Sequence, residues 1–214
     1  MPNQKEWERA LVHHCAETLA GLKPASLLCL RSDALLQSQD AVDYGNAQFN
    51  RFGIRFFALG RCRKAERILI YREERLNAWL HKGDVRKALE VFGYDCSLPP
   101  ATDIVTAGSV PQNHYPLVGS LLQQLLCRMT QCPSISDEIG LFLGYPVEDV
   151  ISYAKDRGRN AYAMRGYWRV YHNPGKARKT FEAFHACRQC WLAALQNGDD
   201  LFRLLDAVAC PVPA

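Results

Sequence analysis

A chain of 214 residues that is 48% apolar is long enough to bury a core without covalent staples. Its net charge of +4 comes from 26 basic and 22 acidic residues mixed along the chain, so no basic block demands a nucleic-acid partner. No stretch approaches the roughly 18 apolar residues of a membrane span, and the polar N-terminus shows no signal-peptide pattern, so a soluble, cytoplasmic protein is expected.

Residues 4–20 read as a helix, because Trp7, Leu11, Val12, Cys15, Thr18, Leu19 and Leu22 fall on one broad arc at 100° per residue, and Gly21 can close it. After Pro24, the apolar run 25–31 reads as a strand, followed by a weaker helix over about 32–51. The runs 54–60 and 67–72, joined by a basic turn at 61–66, predict a β-hairpin. Two short helices follow, at about 74–81 and 84–92.

Residues 94–116 hold Pro99, Pro100, Pro111 and Pro116 with little periodicity, which predicts a long loop or insertion inside a single domain spanning 1–214. Beyond it the spacing predicts helices over 117–129, 136–143 and 146–155, the last two separated by Gly144 and Tyr145. Glu148 and Asp149 then fall in a first helical turn, where they oppose the macrodipole. Residues 161–171 alternate like a half-buried strand, and helices over 176–196 and 199–208 complete the chain. This order predicts an α+β domain: a small mixed or antiparallel sheet of about four strands, hairpin included, covered by helices.

The nine cysteines are odd in number and irregularly spaced, so they are read as reduced thiols, mostly buried. His13, His14 and Cys15 cannot converge on one metal ion, because consecutive helical residues diverge by about 100°. His13 goes to the polar side with Arg9 and Glu17, Cys15 points inward, and only His14, at the arc's edge, could share a pocket with it. Cys187 and Cys190 form a CxxC in mid-helix, away from the helix-terminal amides that would activate a thiol. No metal site is expected.

Residues 138–153 have the shape of a DNA-binding helix-turn-helix, but Glu148 and Asp149 would meet phosphates, which weighs against nucleic acid. Alternation along 165–171 places Arg165, Tyr167, Arg169 and Tyr171 on one face, which could hold an anion together with the basic turn Arg61–Lys64 or simply be solvated. Thr18, Gly21 and Lys23 at a helix-to-strand turn could also hold an anion, Lys23 as the point charge, although the pattern is neither a P-loop nor a dinucleotide-binding motif.

The stretches HCAETLAGLKPASL (14–27), ILIYR (68–72), EIGLFLGYPVEDV (138–150), GYWRVY (166–171) and 184–187 together resemble a bacterial family of domains of unknown function, the one numbered 3793. The resemblance covers most of the chain outside 94–116 and brings no established activity with it. It implies attention to Cys15, Thr18, Gly21, Lys23, Glu138 and Cys187, and it places a histidine where this chain has Asp137. The family is associated with anaerobic bacteria and with iron-uptake and flavodoxin neighbours.

The leading expectation is a pocket between the 15–23 turn and the 138–145 block that binds a small anionic or thiol-reactive ligand. Cys15 would act as nucleophile or ligand, Lys23 would hold the anion and Glu138 would handle protons. His14, Thr18, Gly21, Gly144, Tyr145, Arg165, Tyr167, Arg169 and Tyr171 are the candidate binding residues. Whether it is an enzyme, and in what oligomeric state it works, stay open. The alternatives are an iron- or haem-handling protein with a cysteine, histidine or tyrosine ligand, and a non-catalytic interaction module.

Overall fold

A strand buried on both faces must be apolar at successive positions, and the run Ile68-Leu69-Ile70-Tyr71 meets that requirement. In the computed structural model it forms the middle of β3 (Ala65–Arg72), paired antiparallel with both β1 (Ala25–Arg31) and β2 (Ile54–Cys62) in the order β1-β3-β2. Ile70 lies between Ser26 and Phe56, and Leu69 between Leu27 and Phe57. The structure describes residues 4–31, 38–62, 65–97, 114–131, 135–159 and 161–209.

Side-chain alternation divides the core into two layers. Leu28, Ile54, Phe56, Ile68 and Ile70 pack under α1 (Gln4–Leu19), α2 (Ser38–Phe49), α8 (Pro174–Gln196) and α9 (Leu201–Ala209). Phe57, Leu59, Leu69 and Tyr71 pack against α3 (Glu73–Leu80), α4 (Gly83–Val91), α5 (Pro116–Gln131), α6 (Ile139–Phe142) and α7 (Val147–Asp156). Each fully buried side chain of β3 contributes about 2 kcal/mol relative to exposure. The result is a small antiparallel sheet with helices on both faces, the expected α+β class. No helix among the described residues is long and apolar enough to cross a membrane.

The structure corrects several boundaries. The positions read as a turn at 61–66 are largely strand, with Arg61 opposite Glu66 and Cys62 opposite Ala65; a bulge between Ala58 and Arg61 accommodates Gly60 at φ 75°. Of the helix expected at 32–51, Ser38–Phe49 is helical and Asn50–Phe52 forms a 3-10 turn, while 32–37 lies outside the described residues, as do 63–64 and 98–113 of the Pro-rich segment. The helix expected at 136–143 is a single turn. The strand expected at 161–171 is a tight hairpin, β4 (Met164–Arg165) against β5 (Arg169–Val170). Gly166 turns that hairpin where a Cβ would lie 2.2 Å from the Phe181 ring, so the alternation stops there and the Arg/Tyr face is broken up.

Among the described residues, Cys15, Cys29, Cys96, Cys127, Cys187 and Cys190 are free thiols. They are less buried than expected, since Cys29, Cys127 and Cys190 are exposed.

Two arginines of β3 close helices by bonding carbonyls of their last turns, where the intrahelical ladder runs out. Arg67, 1% exposed, donates from Nη2 to the carbonyl of Met129 at 2.8 Å, in the last turn of α5. Arg72 donates from Nε to the carbonyls of Thr18 at 3.1 Å and Leu19 at 3.2 Å, at the end of α1, and from Nη1 to Phe52 at 3.3 Å. A guanidinium there also meets the negative end of the helix dipole. Arg72→Leu should therefore cost about 2–3 kcal/mol in urea denaturation, from charge-assisted bonds lost and carbonyls left buried; a loss below about 0.5 kcal/mol would show that water replaces the cap.

Candidate functional site

The site grows from the end of α1. Leu22 N–H donates to the Glu17 carbonyl at 2.7 Å and Gly21 N–H to the Thr18 carbonyl at 3.0 Å, a Schellman turn with Gly21 at φ 74°. The turn sends Lys23 into the protein as Pro24 leads into β1. Opposite it, the chain after α6 turns back at Gly144, φ 78°, so close that a Cβ there would lie 2.4 Å from Cδ of Pro24. A side chain at 144 would wedge the two segments apart.

Lys23 is 8% exposed. Its ammonium lies 5.4 Å from the centre of the Tyr145 ring, and no described carboxylate forms an ion pair with it. Burial lowers its pKa to about 8 against the opposing pull of Glu17 and Cys15, with Arg188 adding to the lowering. A cleft of about 350 Å³ opens beside it between Leu22–Pro24 and Leu143–Tyr145. Trp79, Tyr145, Trp168 and Phe184 supply rings to the wall, and Arg75 and Lys82 are its other cations. No carboxylate belongs to the described lining. Lys82 sits over the Trp79 ring at 4.5 Å, and Trp79 is fixed by its Nε1–H donating to the Leu141 carbonyl at 2.6 Å.

Behind Lys23 lies a buried polar cluster. Cys15 is 0% exposed and its thiol is pushed up to about 12, chiefly by burial, with Lys23 pulling the other way. Thr18, equally buried, shares a 2.8 Å hydrogen bond with Ser26 of β1. Glu17, 1% exposed, accepts from Arg188 Nη2 at 2.5 Å and from the Tyr167 hydroxyl at 2.9 Å through the same oxygen. Helical phase alone would leave Glu17 on the polar side of α1; α8 and the hairpin cover it. Tyr167 and Tyr145 are both raised to about 12 by burial and then by the Glu17 charge. Cys187, half-buried on α8, is raised to about 11 by burial and then Glu17.

The other candidate residues are dispersed. Glu138 accepts from the Tyr94 hydroxyl at 3.0 Å and has Arg128 Nη1 at 3.9 Å, a set of partners separate from those of Cys15 and Lys23. His14 is exposed, its pKa lowered by partial burial and by the charges of His13 and Arg188. Arg165 is exposed at the hairpin. Arg169 donates to the Gly158 carbonyl and lies over the Tyr153 and Tyr162 rings. Tyr171 offers its backbone N–H to Asp149 at 2.8 Å.

Asp149, read in the sequence as a dipole partner, instead pins the hairpin. It accepts from Trp168 Nε1 and from the N–H groups of Tyr171 and His172, each at 2.8 Å. Asp149 thus faces the protein, while Glu148 beside it is exposed. By holding Trp168 against Tyr145, ring centres 5.1 Å apart, Asp149 also fixes the wall between this cleft and a neighbouring one of about 280 Å³ that carries Asp137 and Arg169. Among the described residues, no group of three or more His, Cys, Asp or Glu side chains could hold a metal ion.

A sequence model of the family described as "Protein of unknown function (DUF3793)" matches residues 11–205. The chain belongs to that family. No curated protein and no solved structure matches it. The match takes in the chain from Leu11 of α1 to Leu205 of α9, so the cleft and the cluster behind it both lie within what this chain shares with DUF3793.

Sequence reading did not find Glu17, Arg188, Trp79, Arg75 or Lys82. Tyr167 and Arg188 lie 150 and 171 residues beyond Glu17, and no local pattern links positions so far apart.

The Lys23 shift makes stability depend on pH with a definite sign. The folded amine has a pKa near 8 and the unfolded one near 10.5, so between those values the unfolded chain binds more protons and stability rises with pH. Cys15, Tyr145 and Tyr167 shift in the opposite sense and lose stability above pH 9–10, but they remain when Lys23 is replaced. Lys23→Met should therefore be more stable than the native chain below pH 8, by up to about 3 kcal/mol, and lose that advantage towards pH 10.5. Chemical denaturation at pH 7, 8.5 and 10 measures it; a difference constant with pH would mean that Lys23 is not shifted.

Proposed function

We propose that this chain binds a small anionic ligand bearing a flat ring, in the cleft between Leu22–Pro24 and Leu143–Tyr145. The observation that carries the reading is the buried Lys23, which no described carboxylate pairs, facing a cleft whose described lining holds two more cations and no carboxylate. A buried cation without an ion-pair partner is destabilising until an anion arrives, and the low-dielectric wall strengthens that interaction. Tyr145, Trp168, Trp79 and Phe184 supply stacking surface for the ring. Gly144 supports the reading by letting the two segments approach closely enough to close the floor.

Cys15 enters this reading as a neutral group behind Lys23. A fully enclosed thiol raised to about 12 is protonated at neutral pH, whereas thiol chemistry needs the thiolate. Free thiols, three of them exposed, suit a reducing, cytoplasmic setting.

Trp79 and Trp168 report on the cleft directly. Titration with 4-(hydroxymethyl)benzoate should quench tryptophan fluorescence saturably, and the uncharged 1,4-benzenedimethanol should not. Lys23→Met should weaken binding about tenfold or more. Because the protonated amine holds the anion, affinity should be flat below pH 7 and fall about tenfold per pH unit above 8. Equal binding of the uncharged compound, or unchanged affinity in Lys23→Met, would contradict the reading.

A further inference from the structure

We propose that Lys23 forms a carbinolamine and then an imine with the aldehyde or ketone group of a compound that carries a flat ring and an anionic group; this rests on the cleft being the ligand site proposed above. Lys23 lines a cleft of about 350 Å³ that a carbonyl compound can enter, and no described carboxylate holds its nitrogen in an ion pair. The nearby carboxylate, Glu17, is already bonded to Arg188 and Tyr167. Arg75 and Lys82 stand in the same lining, so a compound that turns its carbonyl to Lys23 places its anionic group on those two cations, whereas a ligand without a carbonyl turns its anionic group to the Lys23 ammonium. A ring stacked on Tyr145 or Trp168 then limits where a carbonyl carbon attached to it can lie.

Burial sets the protonation of the amine, opposed by Glu17 and Cys15 of α1 and aided by Arg188 of α8. The Tyr145 ring, from the turn before α7, also faces it, and Arg75 and Lys82 are the other charged groups of the cleft lining. The net result is an amine titrating near 8, of which about a tenth is neutral at pH 7. In an ordinary exposed lysine that fraction is smaller by about two orders of magnitude.

The step balances without a redox partner. The ammonium first releases one proton to cleft water. The nitrogen lone pair then attacks the carbonyl carbon, the C–N bond forms, and the C=O π electrons move to oxygen. That oxygen takes a proton from water while the nitrogen passes one of its two protons to the hydroxide so formed, giving the neutral carbinolamine. The hydroxyl takes up the proton first released and leaves as water as the nitrogen lone pair forms the C=N bond, and the nitrogen keeps its one remaining hydrogen. The protonated imine keeps the positive charge of the ammonium in the field of Glu17, so the buried electrostatics survive the change.

The native protein is incubated with 4-formylbenzoate and cyanoborohydride from pH 6 to 9, and modified peptides are mapped by mass spectrometry. In parallel, 4-(hydroxymethyl)benzoate, which keeps the ring and carboxylate but lacks the carbonyl, is titrated by fluorescence. The expected result is reductive labelling of Lys23 about tenfold or more faster than of the exposed lysines, with a rate that rises with pH and flattens above about 8. Labelling of Lys82 and other exposed lysines with Lys23 unmodified, while 4-(hydroxymethyl)benzoate still binds, overturns the imine and leaves the binding site standing. Failure of both labelling and binding overturns the two together.

Discussion

The last turn of α1 is the constraint on which the site depends. Its carbonyls must be satisfied inside the protein, and they are: Thr18 and Leu19 by the Arg72 guanidinium, Glu17 by the N–H groups of Leu22 and Lys23. Gly21 supplies the left-handed residue that the turn needs. Those requirements fix the direction in which the chain leaves the helix, and that direction turns Lys23 inward. A lysine placed inward by backbone geometry, and not by a carboxylate partner, is what gives the cleft its character.

The neighbours of Lys23 preserve that character. Glu17 lies close enough to temper the buried ammonium, yet its carboxylate is committed to Arg188 and Tyr167. A direct Lys23–Glu17 pair would have returned the amine towards its ordinary pKa and left the cleft nothing to offer an anion. Arg188 thus does two things: it compensates the buried carboxylate, and its positive charge adds a little to the downward shift that burial imposes on Lys23. On the opposite wall, Asp149 secures the hairpin that presents Trp168 and Tyr167, so one carboxylate organises the aromatic surface and another the electrostatics.

Much of the fold was legible in the sequence, and what was missed follows one rule. The amphipathic arc of α1, the doubly buried run of β3 and the long helix α8 carry their signals within a few turns or alternations, and each was located closely. The hairpin at 164–170 was misread because strict alternation, Tyr167 against Trp168, also fits two short strands around a turn, and the Phe181 ring that demands Gly166 is distant in sequence. Cys15, Thr18, Gly21 and Lys23 were visible as a turn with chemistry in it. Glu17 could not be separated from the solvated face of its helix, because its burial comes from α8 and from Tyr167. Glu138 was set beside Lys23 by the family resemblance and not by any local pattern; in the structure it accepts a hydrogen bond from Tyr94.

The cleft owes its chemistry to Lys23 being a buried amine poised near neutrality. Selective ¹³C labelling of lysine at Cε, with the Lys23 resonance assigned by loss in Lys23→Met, gives its titration directly. A midpoint near pH 8, moving upward when 4-(hydroxymethyl)benzoate is bound, is the predicted result. A midpoint near 10.5 that is indifferent to the ligand would contradict it, because such a lysine is either solvated or already paired.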